Sequence, residues 1–232
     1  MRIGVMGGTF DPIHLGHLRA AEGICGAFEL DQVIFVPAGK PPHKDHGVEA
    51  SASQRYEMAS LAAASAPYFA VSPIELNRPG RSYSIDTIRE FRSRYGQEST
   101  IYVIMGADAF QDIATWKDAG ALISLAQLIV IARPGWRLDE VERSMTPSQR
   151  QVLGDPRFKY LRISEITPQV ARQHDEPRLV LLVEAVSLEI SSNQIRQLVK
   201  EGKSIRHLVA DPVAAYIAEN RVYQPTCATI DA

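Results

Sequence analysis

Gly7-Gly8-Thr9-Phe10-Asp11-Pro12-Ile13-His14-Leu15-Gly16-His17 follows directly on the apolar run Ile3 to Met6, and this junction decides the fold. It reads as a strand, a tight glycine turn and a helix. Gly7 and Gly8 are expected to let the backbone approach a ligand closely, in dihedrals that other residues avoid. Beyond the turn, apolar residues recur at Leu15, Leu18, Cys25 and Phe28, with the small Ala21 between them. That spacing predicts a helix with one face on a core. The open N–H groups and partial positive charge of its first turn suit a phosphate above the sheet. His14 and His17 are three residues apart, so both imidazoles leave the same face of that turn. Gly16 lies between them and removes a side chain that would block the approach. One reading is a phosphate cradle with two imidazoles aimed into it. A second makes the histidines metal ligands with Asp11 as a third, and a third makes them ordinary surface or core residues.

Downstream, Gln32 to Ala38 reads as a buried strand, which completes a strand–helix–strand unit of a parallel sheet. The basic loop Gly39-Lys40-Pro41-Pro42-His43-Lys44 then leaves the same sheet edge as the glycine turn. A helix over Ser53 to Ala66 is ended by Pro67, and Tyr68 to Leu76 reads as a third strand. Arg81 to Thr87 opens a helix to about Tyr95, with Ser82 or Ser84 as a candidate N-cap. The strand Thr100 to Met105 ends at Gly106-Ala107-Asp108, where Asp108 would either accept from ribose hydroxyls or cap the next helix. Gln127 to Ala132 is another strand, followed by Arg133-Pro134-Gly135. From Trp136 to about Glu176 the pattern weakens, apart from a short strand near Phe158 to Ile163. Leu179 to Val186 restores a strand and leads into Ile190-Ser191-Ser192-Asn193-Gln194-Ile195-Arg196. Ser191 with Gln194 reads as a capping box, or with Arg196 as a second phosphate seat. A last helix runs from Asp211 through Asn220. The fold class is α/β, a Rossmann-like doubly wound parallel sheet with a helical C-terminal part. One domain is expected over residues 1–232, with residues 136–178 as a variable insertion and residues 224–232 as a loose tail.

The chain has 232 residues, 45% of them hydrophobic, and a net charge of -2. That composition argues against disorder and offers no basic surface to nucleic acid. Its two cysteines, Cys25 and Cys227, make neither a disulfide framework nor a zinc pattern. No apolar run reaches membrane-spanning length, and a strand from residue 2 leaves no room for a signal peptide. The expectation is a soluble cytoplasmic protein that binds neither membrane nor nucleic acid.

His14-Leu15-Gly16-His17 resembles the His-x-Gly-His signature of a nucleotidyltransferase superfamily. The Gly-Gly-Thr-Phe-Asp-Pro opening narrows the likeness to the nicotinate and nicotinamide mononucleotide adenylyltransferases, and the chain as a whole resembles the bacterial nicotinate type. The resemblance implies that both histidines contact nucleotide phosphates. Pro41-Pro42-His43-Lys44 is similar to that family's loop, with Lys44 the phosphate ligand and His43 a helper. Ser82-Tyr83-Ser84 resembles the family's Ser-Tyr-Thr, whose third residue lends a backbone N–H to the nicotinate carboxylate. Thr115-Trp116 matches its Thr-Trp, whose indole stacks on the pyridine ring. The last string resembles Ile-Ser-Ser-Thr-x-Ile-Arg, with Asn193 where threonine is usual.

The implied reaction is ATP plus nicotinate mononucleotide giving deamido-NAD and pyrophosphate, a step in NAD biosynthesis. The implied catalytic residues are His14, His17, Lys44 and Arg196. ATP would meet Gly7, Gly8, Thr9, Phe10, His14, His17, Gly106, Asp108, Ile190, Ser191, Ser192 and Arg196. Nicotinate mononucleotide would meet Lys44, Ser84, Thr87, Trp116, Lys117 and Arg133. Magnesium would be held by phosphates and water rather than by a protein cage. A homo-oligomer is an open possibility. Other readings are a nicotinamide mononucleotide or phosphopantetheine acceptor, or a nucleotide-binding regulatory domain without turnover. A phosphate monoester is already a dianionic nucleophile near neutral pH and needs no general base. The task is then to align two anions and neutralise developing charge.

Overall fold

Alternation along each strand sends its side chains to two opposite cores. The computed structural model describes residues 1–41, 47–132, 138–172, 178–184 and 188–224. Strands β1 (Arg2–Gly8), β2 (Gln32–Pro37), β3 (Phe69–Val71), β4 (Thr100–Gly106), β5 (Gln127–Ala132), β6 (Arg157–Arg162) and β7 (Leu179–Glu184) form one sheet. Its order is β3-β2-β1-β4-β5-β7-β6, and every pairing is parallel. The helices are α1 (Leu15–Ala27), α2 (Ala52–Ala63), α3 (Ser84–Tyr95), α4 (Ala107–Gln111) and α5 (Ala119–Leu125). They continue with α6 (Leu138–Arg143), α7 (Pro147–Val152), α8 (Pro168–Arg172), α9 (Ser192–Lys200) and α10 (Asp211–Glu219).

Ile3, Val5, Ile34, Val36, Ile101 and Val103 pack on one face with Ile85, Ile88 and Phe91 of α3 and Leu122 of α5. Their strand neighbours Met6, Val33, Phe35, Tyr102 and Ile104 pack on the other face with α1, α2 and α10. Burial on both faces is why the central strands read as nearly continuous apolar runs. The chain order reverses between β1 and β4, so a crevice opens at their carboxyl ends, the usual ligand site of such sheets.

Several boundaries differ from the sequence reading. Gly7 and Gly8 do not make a turn in a special conformation: β1 runs through both, and Phe10 is the residue with positive φ, at 50°. The third strand shrinks from nine residues to Phe69–Val71: the Ser72 N–H bonds the Phe35 carbonyl, and Pro73, whose ring fixes its φ, follows directly. α2 starts earlier, at a capping box of Ser51 with Gln54. The weakly patterned region supplies α6, α7, α8 and β6, and β6 lies outside β7 at the sheet edge.

Within α2, Arg55 shares a spacing of three and four with Met58 and Ala59 and is as buried as they are, at 1% exposure. Its guanidinium donates to the carbonyls of Thr9 (2.6 Å), Gly39 (3.3 Å) and Ala50 (3.3 Å). It therefore ties the segments leaving β1 and β2 to the entry of α2. The Asp11 carboxylate supports its charge against burial. Arg55→Met would leave the buried carbonyls of Thr9, Gly39 and Ala50 without their donor and take a positive charge from beside Asp11. A loss of about 3–5 kcal/mol in urea unfolding is expected, and a loss under about 1 kcal/mol would contradict this role.

Candidate active site

A cavity of about 460 Å³ opens at the carboxyl ends of β1 and β4. Gly7, Gly8 and Thr9 line it from β1, Pro41 from the segment after β2, and Gly106, Asp108 and Asp112 from around α4. A Cβ on Gly7 or Gly106 would meet nothing within 4 Å, so these glycines widen the opening rather than relieve a clash. Asp108 does not cap α4, whose N-cap is Gly106; it sits in the first turn and faces the cavity.

The start of α3 forms another wall. Tyr83 is the N-cap there, so neither Ser82 nor Ser84 takes that place. Ser84 is the first helical residue, and an N–H at that position has no partner within its own helix. The Ser82 hydroxyl instead accepts from the backbone of Gly39 (3.0 Å) and Lys40 (3.2 Å). Thr87, buried, donates to Glu75 at 2.6 Å. Burial raises the Glu75 carboxyl above its ordinary value, although hydrogen bonds from Thr87 and Ser82 and the charge of Arg78 pull the other way. A single 3-10 turn, Ile113–Thr115, delivers Trp116 to the cavity with its other side on the α3 core. Lys117 lines the cavity too, with its ammonium 2.9 Å from Asp86 and 4.9 Å from the centre of the Tyr83 ring.

The histidines lie to one side of this cavity and are not among its lining residues, nor are Phe10, Ile190, Ser191, Ser192 and Arg196. The glycine strand end and the two imidazoles thus line different parts of this sheet edge. His14 is the buried N-cap of α1, and its ring stacks on His17 at 3.7 Å and 25°. Its backbone N–H donates to His17 Nδ1 at 3.2 Å. An Nδ1 that accepts leaves the proton of neutral His17 on Nε2. A Cβ on Gly16 would lie 2.9 Å from His14 Nδ1, so this glycine makes room for the stacked rings rather than for a ligand. Phe10 meets His17 edge-on at 5.1 Å and is also what a Cβ on Gly8 would touch, which links the two parts. Burial, and then the neighbouring His14, push the His17 imidazole well below 6.5.

The N-terminus of α9 docks on the same loop. Ser191 caps it by accepting from Gln194 N–H (3.2 Å), and Ser192 donates to the Pro12 carbonyl (2.9 Å). Arg196 bonds Glu49 (3.0 Å), the Asp11 carbonyl (2.7 Å) and the side chain of Asn193 (2.6 Å). Asn193, in the usual place of a threonine, therefore orients the arginine. Lys200 shares Glu49 at 2.9 Å. The Asp11 carboxylate accepts from Glu49 N–H (2.8 Å), Ala50 N–H (3.0 Å) and Tyr223 O–H (2.8 Å). Its engagement there takes the third ligand from the metal reading of the two histidines. Lys44, His43 and Arg133 lie outside the described residues.

A cytidylyltransferase-like family model matches residues 5–198. A relative from Moorella thermoacetica is 42% identical over 224 residues, 97% of this chain and 92% of its own length. Another, from Thermus thermophilus, is 40% identical over 224 residues, 97% of this chain and 100% of its own. Each carries the name "Probable nicotinate-nucleotide adenylyltransferase". The chain belongs to the cytidylyltransferase-like family, among its nicotinate-nucleotide adenylyltransferases. The fold agrees with the Plasmodium falciparum nicotinic acid mononucleotide adenylyltransferase complexed with NaAD, at a TM-score of 0.67, 17% identity, and coverage of 96% and 97% of the two chains. The same enzyme complexed with APC gives 0.65 at 16% identity, covering 96% of each chain.

Sequence reasoning about this nucleotidyltransferase missed Arg55, Glu75 and Glu49, and offered Ser82 as a helix cap where it instead holds Gly39 and Lys40. Arg55 alone left a signal, as a charge within the apolar stripe of its helix. The state of His17 has a measurable consequence. Above about pH 6.5 it is neutral in both folded and unfolded chains. Below that, the unfolded chain takes up a proton that the folded chain refuses, so stability falls by up to about 1.36 kcal/mol per pH unit. His17→Gln should flatten the fall of the urea midpoint between about pH 6.5 and 5. Parallel curves for the two proteins would show that His17 titrates normally.

Proposed function

We propose that this chain transfers the adenylyl group of ATP to nicotinate mononucleotide, giving deamido-NAD and pyrophosphate. The observation that carries the reading is one cavity at the strand-order reversal lined together by Ser84 at the start of α3, Trp116 and Gly7 to Thr9. The pyridine ring would lie on Trp116 with its carboxylate at Ser84 and Lys117, near Thr87, and the mononucleotide phosphate would meet Lys44 and Arg133. ATP would occupy the adjoining compartment of Phe10, His14, His17, Ile190, Ser191, Ser192 and Arg196, its ribose reaching Asp108 beside Gly106.

A phosphate oxygen of the mononucleotide attacks the α-phosphorus of ATP. The bond from that phosphorus to the bridging oxygen breaks, and pyrophosphate departs with the bonding electrons. His17 presents Nε2–H to the phosphates, and their charge favours the protonated imidazole that the protein alone disfavours. The α1 and α9 N-termini add N–H donors. Arg196 brings positive charge, and a direct phosphate contact requires it to exchange Glu49 for phosphate. Magnesium bound to the polyphosphate supplies charge neutralisation. It would be held mainly by phosphate oxygens and water rather than by a protein cage.

Pyrophosphate release with magnesium-ATP and each mononucleotide in competition tests the reading. A carboxylate accepts at both oxygens, whereas a carboxamide turns an NH2 towards a donor. A hydrogen bond to a charged group contributes roughly 1.5–3 kcal/mol, so nicotinate mononucleotide should be preferred at least about tenfold in kcat/KM. Equal efficiencies, or a preference for the amide, would overturn the assignment. Release from neither would leave only nucleotide binding. His17→Ala should lower kcat by about 10²-fold or more, as for loss of one donor aimed at developing charge, with a smaller change in the ATP KM. Normal turnover with only a raised KM would refute that role.

A further inference from the structure

We propose that Glu75 is a positioning residue of the acceptor cavity: its carboxylate gathers the hydroxyls of Ser82 and Thr87, and so fixes the first turn of α3 that reads the acceptor's ring substituent. The proposal rests on the reading of this cavity as the acceptor's.

The argument is one of donors and acceptors. The Ser82 oxygen already accepts from Gly39 N–H and Lys40 N–H. A hydroxyl oxygen has two lone pairs, so only its proton is left, and that bond goes to Glu75. The Thr87 oxygen accepts from Arg78 at 3.1 Å and sends its proton to Glu75 at 2.6 Å. Two hydroxyl protons therefore converge on one side chain, with the charge of Arg78 close by. A carboxylate is the group that accepts at both oxygens and donates nothing.

Glu75 also stands where three segments meet. Ser82 N–H bonds the Lys40 carbonyl at 3.0 Å, so Ser82 is joined to the segment after β2 by three bonds. A Cβ on Gly39 would overlap the Glu75 carbonyl oxygen, so the two backbones touch there. Thr87 lies in the first turn of α3, directly after the residues that face the cavity. Glu75 itself lines that cavity and is buried. None of these bonds reaches His14, His17 or α9. The bonds of Ser82, Thr87 and Glu75 thus act on the acceptor wall itself, and the two sides of the site share only the Arg55 contacts to Thr9 and Gly39 and the Phe10 ring.

A carboxylate in the wall of an anion's cavity makes the proposal decidable, because charge and positioning predict opposite signs. Glu75→Gln removes the charge, which by itself would ease binding of an anionic mononucleotide. It also adds N–H donors to a wall already crowded with donors, which would loosen Ser82 and the turn before α3. Positioning predicts an acceptor KM raised about tenfold, with kcat at saturating acceptor and the ATP KM within about twofold of wild type. The nicotinate-to-nicotinamide preference should narrow by a similar factor, whereas general destabilisation would shift the urea midpoint and leave that ratio alone. Ser82→Ala should reproduce the change, and the double variant should be no worse than either single. Ser82→Ala is also the variant to read if Glu75→Gln does not fold. Binding of nicotinate mononucleotide alone, by calorimetry, keeps the test independent of turnover. If wild type binds the mononucleotide but releases no pyrophosphate, the reaction is wrong and the Glu75 comparison still stands on affinity. An acceptor affinity unchanged or tightened in Glu75→Gln would overturn the proposal, as would a wild type that does not bind the mononucleotide.

Discussion

The buried charges of Arg55 and Asp11 are the constraint on which the site depends. A parallel sheet delivers all its strand ends to one edge, and the loops that leave it have no ladder to hold them. Here one guanidinium takes the carbonyls of Thr9, Gly39 and Ala50, and one carboxylate takes the N–H groups of Glu49 and Ala50 and the Tyr223 hydroxyl. Between them they join the chain after β1, the chain after β2, the entry to α2 and a residue near the end of the described chain. Burial of such charges is tolerable only when their polar atoms are met. The same buried carboxylate disfavours ionisation of Tyr223, after burial itself, so the phenol stays a donor.

Arg196 extends this network to α9. Its bonds to Glu49, the Asp11 carbonyl and Asn193 place the α9 N-terminus beside that of α1. Two helix N-termini and two stacked imidazoles then face one loop. Burial, and then His14, push the His17 imidazole well below its ordinary value, so the standing positive charge here is that of Arg196 rather than of His17. The acceptor cavity is built on other bonds, those of Ser82, Thr87 and Glu75. Two anions that must react are thus approached by two walls joined through Arg55 at Thr9 and Gly39, which suits a reaction made chiefly of alignment and charge neutralisation.

Much of this was legible in the chain. The near-continuous apolar strands implied burial on both sheet faces, and the four-residue run Ile3 to Met6 needs a core to either side. The His-x-Gly-His string, Trp116 and Ser84 pointed to the right sheet edge. Ser51 with Gln54 was a start signal that went unread, and Pro73 was a stop signal of the same kind. Such local devices depend on neighbours in sequence, which is why a sequence can carry them.

By itself, then, the sequence determined the parallel sheet and the residues at its ligand edge, because periodicity and turn chemistry are local, whereas the place of the reversal came with the strand order. Only the tertiary structure decided what those residues do for one another. Gly16 proved to serve the His14 ring, Asn193 to orient Arg196, and Ser82 to carry the wall after β2 rather than a helix cap. Glu75 and Glu49 had no neighbour in sequence to betray them, since their partners lie on other elements. A buried charge is defined by what surrounds it, and that is fixed only when the whole chain has closed around it.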